Sequence, residues 1–278
     1  MTATTAPANH RVRVHPSTLP RLVIAEWIKF RTVRSSWWIL ALGVLVIPAF
    51  AVSRMVSIAQ VPELAGQPGM VGAVYVTSGV ALTQLAFCTL GVLAITGEYG
   101  TGQIRSTFAA APARIPALAG KLLVTLAAVV VASLVGIALA WASSAPWFDE
   151  TGLSIDLSRE QDARIMLGVP LYLAAATALA FGIGTIVRSS AGGIVIVLAL
   201  LLVLENALAL VPWEPLQTLG AYLPASAGSR VLLAGDAGSV VTASSSTALS
   251  PWAGYGVMLA WVAAVLAVAG VLLRRRDA

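Results

Sequence analysis

Four charged side chains, Glu98, Arg105, Arg114 and Lys121, interrupt a chain that is 58% hydrophobic and only 10% charged. All lie in the 25-residue stretch GEYGTGQIRSTFAAAPARIPALAGK, from Gly97 to Lys121. A carboxylate followed by three cations, with no thiol or imidazole among them, is suited to recognition: ion pairs at the rim and an apolar ridge between them. It is the one stretch built to touch another protein. The other candidate pair is Glu205 with Asn206, inside an apolar run. An ionisable group at the centre of a membrane span costs roughly 2.5 to 3.5 kcal/mol, so a carboxylate there faces a bundle interior or a water-filled path, or is bonded to a neighbour. Arg54, near the outer end of the first apolar run, reaches headgroups by snorkelling.

Several chemistries are excluded. Histidine occurs only as His10 and His15 near the N-terminus, which removes His-based metal sites and Ser-His catalysis from the apolar region. Gly120-Lys121 is followed by Leu122, and Ile115 stands where the first glycine of a phosphate-cradling loop belongs, so there is no Walker A motif. Cys88 is the single cysteine and forms no internal disulfide. The expectation is no catalytic residue, no metal, no cofactor bound by this chain, and no enzyme activity of its own.

The elements that must position these residues follow from the mean hydropathy of +0.89. A bilayer core about 30 Å thick needs roughly 20 apolar residues per helix. Six segments qualify, at about 37–57, 74–96, 119–142, 166–187, 192–211 and 251–273. Helices are expected because the backbone must satisfy its own hydrogen bonds in lipid and the runs are too long for barrel strands. The fold class is therefore an all-α polytopic membrane protein with six transmembrane helices. With the N-terminus inside, 13 of the 17 basic residues fall on the cytoplasmic side, leaving Arg54, Arg159, Arg164 and Arg230 outside. Trp141, Trp147, Trp213, Trp252, Tyr75, Tyr172 and Tyr255 cluster at the proposed outer ends. Both termini are then cytoplasmic. The net charge of +5 reads as topology and contact with anionic membrane lipids, with no nucleic acid. Ala49-Phe50-Ala51 resembles a signal cleavage site, but the polar stretch of some 36 residues before the first apolar run is too long for an ordinary signal peptide.

Between the spans, residues 1–16 have the composition of a disordered cytoplasmic tail. Residues 17–36 read as an amphipathic inner-leaflet helix, with Val23, Trp27 and Phe30 as its apolar stripe and Arg21, Lys29, Arg31 and Arg34 flanking it. Residues 97–118 form a cytoplasmic loop, 143–165 and 212–250 form outer loops, and 274–278 a basic cytoplasmic tail. The loop 143–165 reads as a solvated acidic face. The first half of 212–250 carries enough apolar residues to dip back into the outer interface. Small residues at four-residue spacing (Ala128, Ala132, Gly136 and Ala140; Ala174, Ala178 and Gly182) permit close helix contact.

With this topology the arrangement becomes specific. The basic, Trp-rich EWIKFRTVRSSWW, two spans joined by the 25-residue stretch, and four further spans resemble the ABC-2 type permeases of bacterial ATP-binding cassette exporters. The matching positions are Glu98-Tyr99, Gly100-Thr101-Gly102, Pro112-Ala113-Arg114 and Gly120-Lys121. Ala113 and Gln103 depart from the family pattern. The resemblance implies a transport subunit in which a second permease protomer, identical or related, joins this one, and two copies of an ABC ATPase subunit, which use ATP and Mg, drive it. It implies that Glu98, Tyr99, Gly100, Thr101, Gly102, Ile104, Arg105 and Phe108 couple to the ATPase, beside an inner-leaflet helix carrying Trp27, Lys29, Arg31 and Arg34. Glu205 and Asn206 are candidates for the translocation path. In the residues themselves, Gly100 and Gly102 can break the span, Thr101 can cap a short helix, and Ile104 and Phe108 at i and i+4 form one ridge. That ridge either docks on a partner or folds against the chain's own inner-leaflet helix or the lipid surface. Glu98 has Lys29, Arg31 and Arg34 as candidate partners. The competing function is a non-transporting membrane anchor or immunity protein that recruits a partner.

Overall fold

A computed structural model describes residues 18–61, 63, 70–110, 114–211, 213–234 and 249–275. The expected tail 1–16 lies outside the described residues, as do most of the polar half of 212–250 and the last three residues. The described part is helical, without strands: α1 (Leu19–Thr32), α2 (Arg34–Ala59), α3 (Gly72–Val76), α4 (Val80–Thr101), α5 (Gln103–Ala110), α6 (Arg114–Ser144), α7 (Phe148–Thr151), α8 (Glu160–Val187), α9 (Ser190–Leu198), α10 (Glu205–Leu210), α11 (Glu214–Ala221), α12 (Pro224–Gly228) and α13 (Pro251–Arg275). A π-helical segment, Ala199–Leu204, joins α9 to α10 into one continuous span.

Six helical stretches are long and apolar enough to cross a membrane: Arg34–Ala59, Val80–Thr101, Arg114–Thr151, Glu160–Val187, Ser190–Leu208 and Pro251–Arg275. They match the six expected from hydropathy, with shifted ends. The second starts six residues later than expected. Thr77 to Gly79 form a turn there, and Gly79 lies so close to the α2 backbone that an added Cβ would stand 2.6 Å from the Ile47 Cα. The same helix also runs on through Thr101, which puts Glu98 and Tyr99 in its last turns instead of in a loop.

α8 is the central helix, buried on nearly all sides. It packs on α4, where Gly91 and Gly184 bring the backbones together: an added Cβ at Gly91 would meet the Thr177 carbonyl oxygen at 2.6 Å. Tyr172, fully buried, donates its hydroxyl to Gln84 Oε1 at 2.6 Å across the same interface. Gly136 of the small-residue row in α6 performs the equivalent role against Val44 and Ile47 of α2. Outward-facing side chains such as Leu45, Val131, Val203 and Leu259 remain exposed, as a lipid-facing surface requires.

The segment after the fifth span does fold back. Its α11, α12 and a 3₁₀ turn, Ser229–Leu232, bring Ala225, Ala227 and Val231 into the bundle, fully buried. Arg164 holds this segment by donating to the carbonyl oxygens of Val231 (2.9 Å) and Leu233 (2.8 Å). The acidic loop 143–165 is less solvated than its composition indicates, because Asp162 is buried and accepts from the Asp156 amide at 3.0 Å.

Gly91→Val should lower stability by about 2 kcal/mol or more, because backbone cannot yield to the added side chain. Gly97→Ala, on the same helix with nothing within 4 Å of the new Cβ, should be neutral or gain up to about 1 kcal/mol. Equilibrium unfolding in mixed micelles measures both.

A buried four-charge cluster as the candidate functional site

The charged residues of α1, α4 and α6 converge at one end of the bundle, beside α5. Lys121 Nζ donates to Glu26 Oε2 at 2.5 Å and to Glu98 Oε1 at 2.9 Å. Lys29 Nζ donates to Glu26 Oε1 at 2.8 Å and to Glu98 Oε1 at 3.0 Å. Two carboxylates and two ammonium groups thus alternate in a closed ring. Each anion touches both cations, and the set is neutral. Thr107 of α5 extends it by donating to Glu98 Oε2 at 3.3 Å and accepting from Lys29 at 3.3 Å.

Local sequence explains how each member arrives. On α1 the face turned to the bundle carries Leu22, Val23, Glu26, Lys29 and Phe30, a helical stripe with two polar members. Ile24 and Ile28 occupy the opposite, exposed face. Trp27 is exposed and stacks on Phe30 with ring centroids 6.1 Å apart, so it borders the buried stripe that it was expected to join. Glu98 reaches the cluster because α4 stays helical through it. Lys121 is carried by the third turn of α6, where Gly120 lets the α1 backbone approach.

Glu26, Glu98 and Lys121 are all at least nine-tenths buried, while the Lys29 side chain keeps 33% of its surface exposed. Burial alone would lower the Lys29 pKa, but its hydrogen bonds to Glu26 and Glu98, with their charges, outweigh that and raise it above the ordinary 10.5. A cavity of about 340 Å³ opens beside the ring, with Phe30, Ile39 and Thr125 among its walls.

The turn between α4 and α5 rests on Gly102, whose φ of 72° lies in the left-handed region that glycine occupies without strain. Gly100 is helical, and Thr101 bonds back to the Gly97 carbonyl at 2.9 Å, inside α4. Thr101 therefore does not cap α5, and only one of the two glycines breaks the span. Ile104 is 4% exposed, packed on Ile95 and Phe181. It anchors α5 to the bundle and is not part of an exposed ridge. The side chains of Arg105 and Phe108 lie outside the described residues. Of the three candidate partners of Glu98, the structure selects Lys29; Arg31 and Arg34 are exposed.

Two further contacts knit the same end. Arg188, past the end of α8, sits over the Tyr99 ring at 5.0 Å. Arg114 donates to the Leu273 carbonyl at 3.0 Å, where the C-terminus of α13 favours a cation. At the other end of the bundle, Glu205 is buried and accepts from the amides of Ala225 (2.7 Å) and Ser226 and from the Ser226 hydroxyl (2.8 Å), capping α12. Asn206 donates to the Leu202 carbonyl at 2.6 Å and lines a separate cavity.

No family model matches this chain, and no curated protein does.

Glu26 is the member that sequence reasoning missed. A signal existed: under the topology derived above, Glu26, Glu98 and Asp277 are the only acids on the side that holds 13 basic residues. Any buried cation there had few possible partners.

Lys121→Met leaves two buried carboxylates sharing one half-exposed cation, and should cost about 3 kcal/mol or more of stability. Lys121→Met with Glu98→Gln should lose less than the sum of the two single variants, in a double-mutant cycle read by unfolding in micelles. Because the Lys29 pKa is raised on folding, its contribution is complete below 10.5 and is lost as pH climbs through the folded value. A fluorophore at Ser106→Cys should report release of α5 only above that pH, and Lys29→Arg should remove the alkaline transition.

Proposed function

We propose that this chain is the membrane-spanning permease subunit of an ABC-2 type exporter, driven by a separate ATPase. The observation that carries the reading is the four-charge ring. It links α5, the short helix between the second and third spans, to α1 and to the start of α6, so a push on α5 is delivered to three helices at once. A buried, neutral ring with strict alternation has one favourable arrangement, which makes it a stiff link for rigid-body motion.

In this reading α5 and the charged ends of the spans face the cytoplasm, with both termini inside, and α1 lies along the inner leaflet. The exposed positions Gln103 and Ser106 meet the ATPase, while Ile104 roots the helix in the bundle. Two copies of the chain, or one and a related protomer, assemble with two ATPase subunits that bind ATP and Mg. The exposed apolar flanks of the spans meet lipid or the second protomer, and the cargo is hydrophobic or amphipathic. The chain itself acts as a transport subunit and supplies no catalytic group.

The test combines orientation with coupling. Cysteine introduced at Ser106 should be labelled only from the cytoplasmic face of right-side-out vesicles after permeabilisation; Cys88 is buried and gives little background. An ABC ATPase should co-purify with the tagged chain. Ser106→Trp should cut its ligand-stimulated ATP hydrolysis about tenfold, the scale of a disrupted interface hot spot, while the unfolding midpoint stays unchanged. Labelling from outside, or an ATPase rate indifferent to the chain and to this substitution, overturns the proposal.

A further inference from the structure

At the end of the bundle remote from α5, a second cavity of about 610 Å³ lies between α2, α4 and the fifth span. Its polar wall contains Arg54, Ser78 and Gln84. Arg54 stands 20 residues along α2 from Arg34, which at 1.5 Å per residue is about 30 Å, the full hydrocarbon thickness. No carboxylate among the described residues pairs with it. Ser78 is 6% exposed, and its hydroxyl is buried with no hydrogen-bond partner. Gln84 commits its Oε1 to the Tyr172 hydroxyl at 2.6 Å, which turns its amide group into a donor. Arg54 and Ser78 thus supply a charged and a neutral donor toward the far end of the cavity, with Gln84 deeper, level with Gly43 of α2, and a buried hydroxyl without a partner is unfavourable unless something else bonds it.

The remaining wall is apolar. Phe50, Leu82 and Leu202 line the cavity and are also exposed on the bundle surface, so its mouth opens on the apolar flank of the bundle. Leu202 is part of the π-helical segment, whose widened turn helps shape this side; π-helical turns are rare and recur at functional sites. The volume falls within the range of about 300 to 1,000 Å³ typical of small-molecule sites.

We propose that this cavity binds an amphiphile with an anionic headgroup, its acid group held by Arg54 and bonded by Ser78, and its tail leaving through the apolar mouth. The shared chemistry is an oxyanion on a hydrocarbon chain. A cation snorkelling among headgroups would need neither the adjoining cavity nor the unpaired hydroxyl. The inference goes beyond the transport reading and does not depend on it, since binding requires no ATPase.

The test uses the full chain in phosphatidylcholine nanodiscs carrying a trace of spin-labelled phosphatidylglycerol or spin-labelled phosphatidylcholine. The expected result is a motionally restricted component with clear preference for phosphatidylglycerol. Arg54→Gln should lower the association constant about tenfold and Ser78→Ala about threefold, the scale of a charged and a neutral hydrogen bond. Arg54→Lys should retain most of the preference, and circular dichroism and the unfolding midpoint should match the parent, because Arg54 is an exposed position. Equal restriction of the two lipids, or a preference unchanged in Arg54→Gln, overturns the site. Displacement of the label by millimolar inorganic phosphate would show that a free anion suffices and would overturn the role of the apolar mouth.

Discussion

Two carboxylates and two ammonium groups, all but Lys29 buried where α1, α4 and α6 meet, constrain the whole charged end of this protein. None of the four could be left there alone, since an unpaired charge removed from water costs several kcal/mol even after relaxation. Together they cancel. The consequence is positional: α1 cannot slide along the bundle, α4 cannot unwind before Glu98, and α6 cannot start elsewhere without exposing an uncompensated charge. α5 inherits its place from this arrangement through Thr107 and from the apolar seat of Ile104. A loop otherwise free to move is held by polar contacts on one side and packing on the other.

The rest of the bundle depends on close approach more than on charge. Water supplies no hydrophobic force between helices inside a membrane, so association rests on packing and on hydrogen bonds that have no better partner. Gly91 and Gly184 at the α4–α8 crossing and Gly136 at the α2–α6 crossing meet the first requirement. The Tyr172–Gln84 bond meets the second. The packed interior and the charged ring are complementary: the first makes the spans one body, and the second connects that body to a short helix at its edge.

The far end is organised by a different device. Glu205, the conspicuous acid of the fifth span, is occupied in capping α12, and Arg164 closes the same re-entrant segment from α8. These two residues turn a segment rich in glycine and proline into a packed lid over the ends of α8 and α13. Arg54 has no such assignment, and it is the charged residue there that faces a cavity.

Six spans were legible in the sequence because lipid imposes a length and a polarity on each helix, and those requirements act residue by residue along the chain. The charge asymmetry and the fold-back after the fifth span were legible for the same local reason. The helix ends were not, because Glu98 and Tyr99 are polar residues that stay helical only where Lys29, Lys121 and Arg188 await them. Glu26 was hidden in the same way: within α1 it is one acid among bases, and its partner Lys121 lies 95 residues away. Nor could sequence tell that Ile104 points inward, since the apolar residue that docks on a partner and the one that anchors its own helix look alike. Local composition determined that this chain has six helices long and apolar enough to cross a membrane. Which charges meet, and therefore what the short helix is fastened to, was decided by the tertiary structure, because pairing between buried charges is a property of neighbours in space.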